Sequence, residues 1–195
     1  MTESASETPK ARLRRETLAR RDALPADWRA TAAQAVAERP FPIAFANGTI
    51  VSGFMPLKTE INPLPLLRKL TAAGARLALP AIVGRGKPLT MRAYAFGDEF
   101  ARGQWAIREP KPDQPELHPD ILIVPLAAFD RRGHRIGYGA GYYDMTINRL
   151  RALKPIYAVG IAFACQEISE VPATGRDERL DLVLTERDVI DFRRA

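Results

Sequence analysis

The stretch from Asp120 to Leu150, DILIVPLAAFDRRGHRIGYGAGYYDMTINRL, restricts the fold more than any other part of the chain. Ile121, Leu122, Ile123 and Val124 form a β-branched-rich apolar run closed by Pro125, the pattern of an inner strand in a parallel sheet covered on both faces. After a charged loop, Gly137, Gly139 and Gly141 remove side chains where a backbone would have to pass close to a ligand. A helical pattern begins near Tyr142. Strand, glycine loop and helix in this order put backbone N–H groups at a helix N-terminus, which suits an anion.

Glycines at this spacing more often only turn the chain, so the neighbours matter. The loop is neither the Walker pattern, since no Lys-Ser/Thr follows, nor the dinucleotide fingerprint. Arg131, Arg132 and Arg135 lie just upstream and could clamp phosphate oxygens in a bidentate fork. Asp144 falls in the first helical turn, where it could hold magnesium through oxygen. The plainer readings are solvated arginines and an acid placed to favour the helix dipole.

A chain of 195 residues can bury a continuous core without disulfides or metal staples. The expected organisation is a disordered tail over residues 1–9 and a single domain over 10–195. No apolar run approaches the roughly 20 residues that a membrane helix needs, and MTESASETPK lacks the apolar core of a secretory leader. A cytoplasmic protein with no membrane partner is therefore expected, and a monomer is the expectation for its assembly. One cysteine, Cys165, and two histidines, His118 and His134, argue against disulfide, redox or zinc chemistry. Cys165 stands among apolar residues and reads as a packing residue. A net charge of +6 and a pI near 9.8 favour anionic partners without choosing among them.

Lys10 to Arg21 reads as a helix docking a narrow stripe of Leu13 and Leu18, with Lys10 and Arg14 projecting from one face. Ala26 to Glu38 is a second helix, stopped by Pro40 and Pro42. Thr49 to Phe54 reads as a strand, which puts Met55 and Glu60 at or beyond its C-terminal end, where open parallel sheets bind ligands. Asn62 to Ala73 is a helix with Gly74 at its C-terminal cap, and Arg76 to Leu79 and Thr90 to Ala95 are strands. Pro110 to Pro119 should cross the surface as an extended connection. The Tyr142 to Leu153 helix and a Tyr157 to Phe163 strand follow. This alternation predicts a three-layer αβα domain with a mostly parallel, Rossmann-like sheet.

The run FDRRGHRIGYGAGYYD, residues 129–144, closely resembles the signature of the 5-formyltetrahydrofolate cyclo-ligases, also called 5,10-methenyltetrahydrofolate synthetases. Other pieces fall in that family's order from Lys10 to Glu186. The resemblance implies ATP as co-substrate, contacted by Lys10, Arg14, Arg135, Ile136, Gly137, Tyr138, Gly139, Ala140, Gly141, Tyr142 and Tyr143. It implies a folate site of Met55, Glu60, Trp105, Tyr138, Gly139, Ala140, Gly141 and Tyr142. It implies magnesium on Asp144 and Asp177, and it gives Arg135 and Asp144 the catalytic roles. A carboxylate such as Glu60 suits a pterin, whose ring presents adjacent N–H donors. Trp105 could stack on an aromatic ring of the substrate or simply pack.

The implied reaction converts 5-formyltetrahydrofolate to 5,10-methenyltetrahydrofolate with ATP cleaved to ADP and phosphate. The formyl oxygen is a poor leaving group until the γ-phosphoryl group is transferred to it, after which N10 attacks and phosphate departs. Such chemistry needs alignment and charge neutralisation more than a protein nucleophile. Three positions depart from the family pattern: Ala140 where Gly or Lys is usual, Met145 where Arg is common, and Arg176 where His is frequent. Two other readings compete. One is a divergent ATP-dependent enzyme acting on another amide. The other is a basic nucleic-acid-binding module, disfavoured because the basic N-terminal run contains no aromatic residue, so no nucleic-acid partner is expected.

Overall fold

Alternation along the apolar runs sends successive side chains to opposite faces of one seven-stranded sheet. The computed structural model describes residues 7–103 and 107–193. The chain runs α1 (Pro9–Asp22), α2 (Ala26–Glu38), β1 (Ile50–Ser52), α3 (Leu64–Ala72), β2 (Arg76–Ala81), β3 (Thr90–Tyr94), β4 (Phe100–Arg102) and β5 (Arg108–Pro110). It continues through β6 (Ile121–Pro125), β7 (Ala128–Phe129), β8 (Arg135–Ile136), α4 (Tyr142–Leu153) and β9 (Tyr157–Ile161). A 3-10 turn at Ala164–Gln166 precedes β10 (Leu182–Leu184) and β11 (Val189–Asp191).

The sheet order is β11-β10-β9-β6-β1-β2-β3. Its five inner strands are parallel, and β3 and β11 close the two edges antiparallel. Ile121 and Ile123 join Val51, Leu77 and Val159 on the face covered by Val36 of α2 and Leu66, Leu67 and Leu70 of α3. Leu122 and Val124 join Ala78, Ala158 and Val183 on the face covered by Ile147 and Leu150 of α4. All four side chains of the β6 apolar run are at most 2% exposed. Burying an aliphatic side chain of this size contributes roughly 1.5–3 kcal/mol. The expected three-layer architecture is thus the observed one.

From β1 the chain crosses through α3 to β2 on one side, and from β6 it crosses through α4 to β9 on the other. The winding therefore reverses between β1 and β6. In doubly wound sheets ligands bind outside the carboxyl ends of the strands at such a point. The segments emerging there are residues 53–62 after β1 and the loop from Pro125 to Gly141 after β6.

Several boundaries moved. β1 is shorter than the expected strand because the chain bends where Gly53 packs on Leu67; a Cβ on Gly53 would sit 2.2 Å from a Leu67 methyl. The first helix starts at Pro9, with the Thr8 hydroxyl accepting the Ala11 N–H at 3.3 Å, so ordered chain precedes the expected boundary. Two hairpins escaped the sequence reading: β4 with β5, and β7 with β8 inside the charged loop. The proline-rich connection lies along β3, with Ala93 N–H donating to the Pro115 carbonyl and Leu117 N–H to that of Met91, and so covers that sheet edge. Among the described residues no helix is long and apolar enough to cross a membrane.

The docking of α1 is the largest correction. Its buried residues are Thr17 and Arg21, not a leucine stripe. Leu13 does pack, partly buried, against Ala128, Ile136 and Val171, but Lys10, Arg14, Thr17 and Arg21 recur at spacings of four, three and four. At 3.6 residues per turn they form one polar stripe. The helix meets the domain through that stripe.

Candidate active site

Pro125 ends β6 and the chain immediately folds back on itself. Ala127 N–H donates to the Ile136 carbonyl at 2.7 Å, and Asp130 N–H to that of His134, closing the β7–β8 hairpin. Asp130 is wholly buried and accepts the N–H groups of Arg132 (2.9 Å), His134 (3.0 Å) and Val171 (2.9 Å). Burial pushes its pKa up, but these donors outweigh that and hold it below the ordinary carboxylate range. Arg132 is bound to Asp130 at 3.0 Å and to Glu170 at 3.1 Å, and Arg131 to Glu167 at 2.7 Å. These two arginines are therefore struts of the hairpin, not the expected phosphate clamps. The Ile136 side chain is buried with Ala128 and Val171, so its backbone is what it offers to the loop.

Arg135 points the other way. Its side chain is 3% exposed, with Nη2 donating to Asp144 Oδ1 at 2.8 Å and Nη1 to the Glu178 carbonyl at 2.5 Å. Burial lowers its pKa, and the charges of Asp144, Asp177 and Glu178 oppose that. A guanidinium remains cationic under such a shift. Asp144 Oδ1 also accepts the Glu178 N–H at 3.0 Å, so a single carboxylate oxygen ties the first turn of α4 to the 174–180 loop.

The glycine loop runs from Gly137 to Gly141. Gly139 and Gly141 have φ of +101° and +70°, conformations that L side chains rarely adopt. Gly137 has no such constraint, and a Cβ built on it would meet no protein atom within 4 Å. The protein itself gives no reason to exclude a side chain there; a ligand lying against the backbone would. Gly141 caps α4 with no side-chain acceptor for the first-turn N–H groups. From the α1 side, Arg14 Nε donates to the Gly137 carbonyl at 2.7 Å. Lys10 Nζ lies 2.6 Å from both oxygens of Asp177, whose Oδ2 also accepts the Thr174 N–H and hydroxyl. Burial raises the Asp177 pKa, but Lys10 and Thr174 together hold it low.

Beside the loop lies a cleft of about 410 Å³. Its walls are largely apolar and include Phe54, Leu79, Ile82, Leu89, Ile107, Tyr142 and Tyr143. Gly137, Tyr138, Ala140, Gly141 and Asp144 line it, as do Met55 and Glu60. Glu60 Oε2 accepts the Leu57 N–H at 2.8 Å, and Tyr138 lines the same cleft. Burial raises the Glu60 pKa against the opposing effects of Tyr138, the Leu57 N–H and Arg21. Burial and the Glu60 charge push both Tyr138 and Tyr143 up, so both phenols stay protonated. Trp105 lies outside the described residues.

Two residues of the site were not foreseen. Arg21, 3% exposed, donates to Tyr138 and Thr59. Glu109, 7% exposed and lining the cleft, accepts the Ile82 N–H at 3.1 Å. Among the described residues no three or more His, Cys, Asp and Glu side chains assemble a metal cage. Asp144 nevertheless suits magnesium, which takes one or two carboxylates and completes its shell with phosphate and water oxygens. Both bonds to it from Arg135 and Glu178 fall on Oδ1. Asp177 has both oxygens engaged by Lys10, so the expected Asp144–Asp177 pair does not stand ready-made.

Fold and site together define an α/β enzyme domain whose small-molecule cleft opens at the switch point of a doubly wound sheet, flanked by an anion-accepting glycine turn. The 5-formyltetrahydrofolate cyclo-ligase family matches residues 6–186. The cyclo-ligase of Escherichia coli K12 is 32% identical over 157 residues, 77% of this chain and 84% of its own length. That of Mus musculus is 24% identical over 73% of this chain and 75% of its own. The Aquifex aeolicus 5,10-methenyltetrahydrofolate synthetase superposes with a TM-score of 0.78 at 26% identity, covering 95% of this chain and 94% of its own. The Mycoplasma pneumoniae synthetase, at 19% identity and a TM-score of 0.70, shares the fold. The chain belongs to the 5-formyltetrahydrofolate cyclo-ligase family and is an enzyme of the ligase class.

Proposed function

We propose that the protein converts 5-formyltetrahydrofolate to 5,10-methenyltetrahydrofolate with cleavage of ATP to ADP and phosphate. The observation that carries this reading is one cleft lined both by a carboxylate, Glu60, and by the glycine turn. An apolar slot with a carboxylate on its wall suits a flat heterocycle that presents N–H donors. A backbone turn at a helix N-terminus, with Arg14 and Lys10 beside it and Arg135 beneath, suits a polyphosphate. Met55 and Tyr142 flank the heterocycle, and Trp105 is assigned to it on the family resemblance alone. Ala140, Gly141 and Tyr143 complete the turn.

The formyl oxygen attacks the γ-phosphorus and ADP leaves with the electrons of the broken bond. N10 then adds to the formyl carbon, closing the five-membered ring, and departure of phosphate with the original formyl oxygen leaves the methenyl product. Arg135 holds Asp144 and the 174–180 loop in register while charge shifts toward the leaving phosphate. Magnesium held by Asp144, with Asp177 joining as Lys10 turns to the phosphates, would supply charge neutralisation. Ring closure also releases the N10 proton, which leaves with the phosphate or to water; the phenols of Tyr138 and Tyr143 stay protonated and orient rather than accept it.

The test is absorbance of the conjugated methenyl product in the near ultraviolet, with purified protein, 5-formyltetrahydrofolate and MgATP. A rise that needs both ATP and a divalent cation supports the assignment. ATP binding without product would point to a different amide substrate, and absence of ATP binding would remove the phosphate-turn reading as well.

A further inference from the structure

We infer that Glu109 is a second substrate-binding carboxylate of the cleft: its open oxygen accepts a single N–H of the folate, apart from the adjacent pair of donors assigned to Glu60. The inference rests on the function proposed above.

The chain makes room for this carboxyl group. β4 and β5 pair with Ala101 directly opposite Glu109, and Gly103 follows two residues on, toward the same face. These neighbours carry only a methyl group and a hydrogen. A Cβ built on Gly103 would stand 2.1 Å from Glu109 Cδ and 2.4 and 2.5 Å from its two oxygens. Gly103 lacks the positive φ that would itself call for glycine. What excludes a side chain at 103 is the seat of the Glu109 carboxyl.

That seat is part of the cleft wall. Glu109 Oε1 accepts the Ile82 N–H at 3.1 Å, and Ile82, Ile107 and Arg108 line the cleft together with Glu109. The residue is 7% exposed, and among the described residues the Ile82 N–H is its one hydrogen-bond donor and no cation pairs with it. Asp130, also buried, shows the contrast, since three backbone N–H groups and Arg132 surround it. A carboxylate has about four acceptor sites on its two oxygens. Within the described residues, Glu109 Oε2 therefore keeps its sites open. A neutral acceptor would hold the Ile82 N–H as well, so the tie to β2 does not explain a charge here. A buried carboxylate short of donors is costly until a donor reaches it. In a cleft whose walls are largely apolar, that donor comes with the ligand.

The folate carries donors of the right kind. Beyond the adjacent N–H groups of its pyrimidine edge, 5-formyltetrahydrofolate has single N–H groups at N8 and N10, while N5 bears the formyl group. One open oxygen matches one such donor, whereas the adjacent pair calls for both oxygens of one carboxylate. Glu60 reaches the cleft from the loop after β1 and Glu109 from β5, so two separate elements hold one substrate.

The experiment compares the unaltered protein with Glu109→Gln and Gly103→Ala, by initial rates and by calorimetric titration of 5-formyltetrahydrofolate without ATP. Glu109→Gln keeps an acceptor for the Ile82 N–H but turns an amide donor toward the ligand; Gly103→Ala leaves the carboxylate intact and displaces it. In both, KM and Kd for the folate should rise about tenfold or more, as for loss of a hydrogen bond to a charged group, while KM for ATP changes less than about threefold. Glu109→Gln should melt within about 2 °C of the unaltered protein. Analogues with CH2 in place of N8–H or of N10–H identify the donor: with the right one, Glu109→Gln and unaltered protein should bind alike, because the pair is already broken. Unchanged folate affinity in Glu109→Gln, equal losses for folate and ATP, or the full loss with both analogues would overturn the inference and leave Glu109 a tie between β5 and Ile82. Folate binding without product would remove the proposed reaction while the titrations still decide Glu109. No folate binding by the unaltered protein would remove both.

Discussion

Arg14 Nε lies 2.7 Å from the Gly137 carbonyl oxygen, and its guanidinium atoms lie 3.7 Å from where a side chain on Gly139 would begin. Neighbouring glycines of one turn are thus required for different reasons. Gly139 is demanded by its φ of +101°, whereas nothing in the protein crowds Gly137.

Gly137→Ala should therefore keep or slightly raise thermal stability, by about 0.4–1 kcal/mol from the stiffer unfolded chain. It should weaken ATP binding, because a methyl group would stand where the phosphates approach. Calorimetry of unfolding and ATP titration of the same sample check both halves; unchanged ATP affinity would show that the turn is only structural. Gly139→Ala should lose on both measures, with strain of about 1–3 kcal/mol.

A purely metal-binding Asp144 would make Asp144→Ala lose activity without touching the fold. The structure alters the second half. Removing Asp144 leaves a guanidinium with 3% exposure without its carboxylate and orphans the Glu178 N–H. Breaking such a pair costs about 3–5 kcal/mol. Asp144→Asn, which keeps one acceptor oxygen, should lose turnover while unfolding less readily than Asp144→Ala in urea. Full turnover of Asp144→Asn at saturating magnesium would take Asp144 out of the metal site.

Glu60 makes a prediction whose sign is easily mistaken. Burial raises its pKa, so between the ordinary carboxylate range and the raised value the folded protein binds a proton that the unfolded chain has released. Stability should fall as pH climbs through that window. At neutral pH the ionised side chain is a cost, and Glu60→Gln should raise the melting temperature while raising the folate KM more than the ATP KM. A lower melting temperature, or an ATP-specific defect, would contradict the assignment.

Asp130 behaves oppositely. Its pKa is held low by buried N–H donors, so its contribution is present above the ordinary carboxylate range and is lost as pH falls toward the folded-state value. Asp130→Ala strands those donors and should cost about 3–5 kcal/mol, with hydrogen exchange first accelerated at Arg132, His134 and Val171. Unaltered exchange at these amides would show that the hairpin does not depend on it.

Much of the scaffold was legible because period decides it. Ala26–Glu38 and Tyr142–Leu153 carry helical spacing between clear stops, and the observed helices have those limits. The β6 run announced an inner strand by lacking any polar alternation. The β7–β8 hairpin was hidden because two-residue strands have no period to read. Arg131 looked like a ligand clamp because its partner, Glu167, lies far along the chain, and Arg132 because nothing in the sequence shows that the neighbouring Asp130 is buried and turned back onto it. Arg21 was lost in a run of basic residues, although its spacing of 11 from Lys10 brings the two within about 20° on a helix and was visible in the sequence. What hid it was the assumption that a docking face must be apolar.

The polar stripe of α1 also bears on when this enzyme can come into being. Lys10 and Asp177 stand 167 residues apart, an interval of on the order of 10–30 s at ordinary rates of synthesis, about 5–20 residues per second. During that time α1, 14 residues long, is near the limit at which a lone helix persists in water. With a docking face of Lys, Arg and Thr, it has little apolar surface to clump with neighbouring nascent chains. A helix that recognises its seat by charge and hydrogen bonds can wait in solvent until the last parallel strand is in place, and the nucleotide side of the site closes only then.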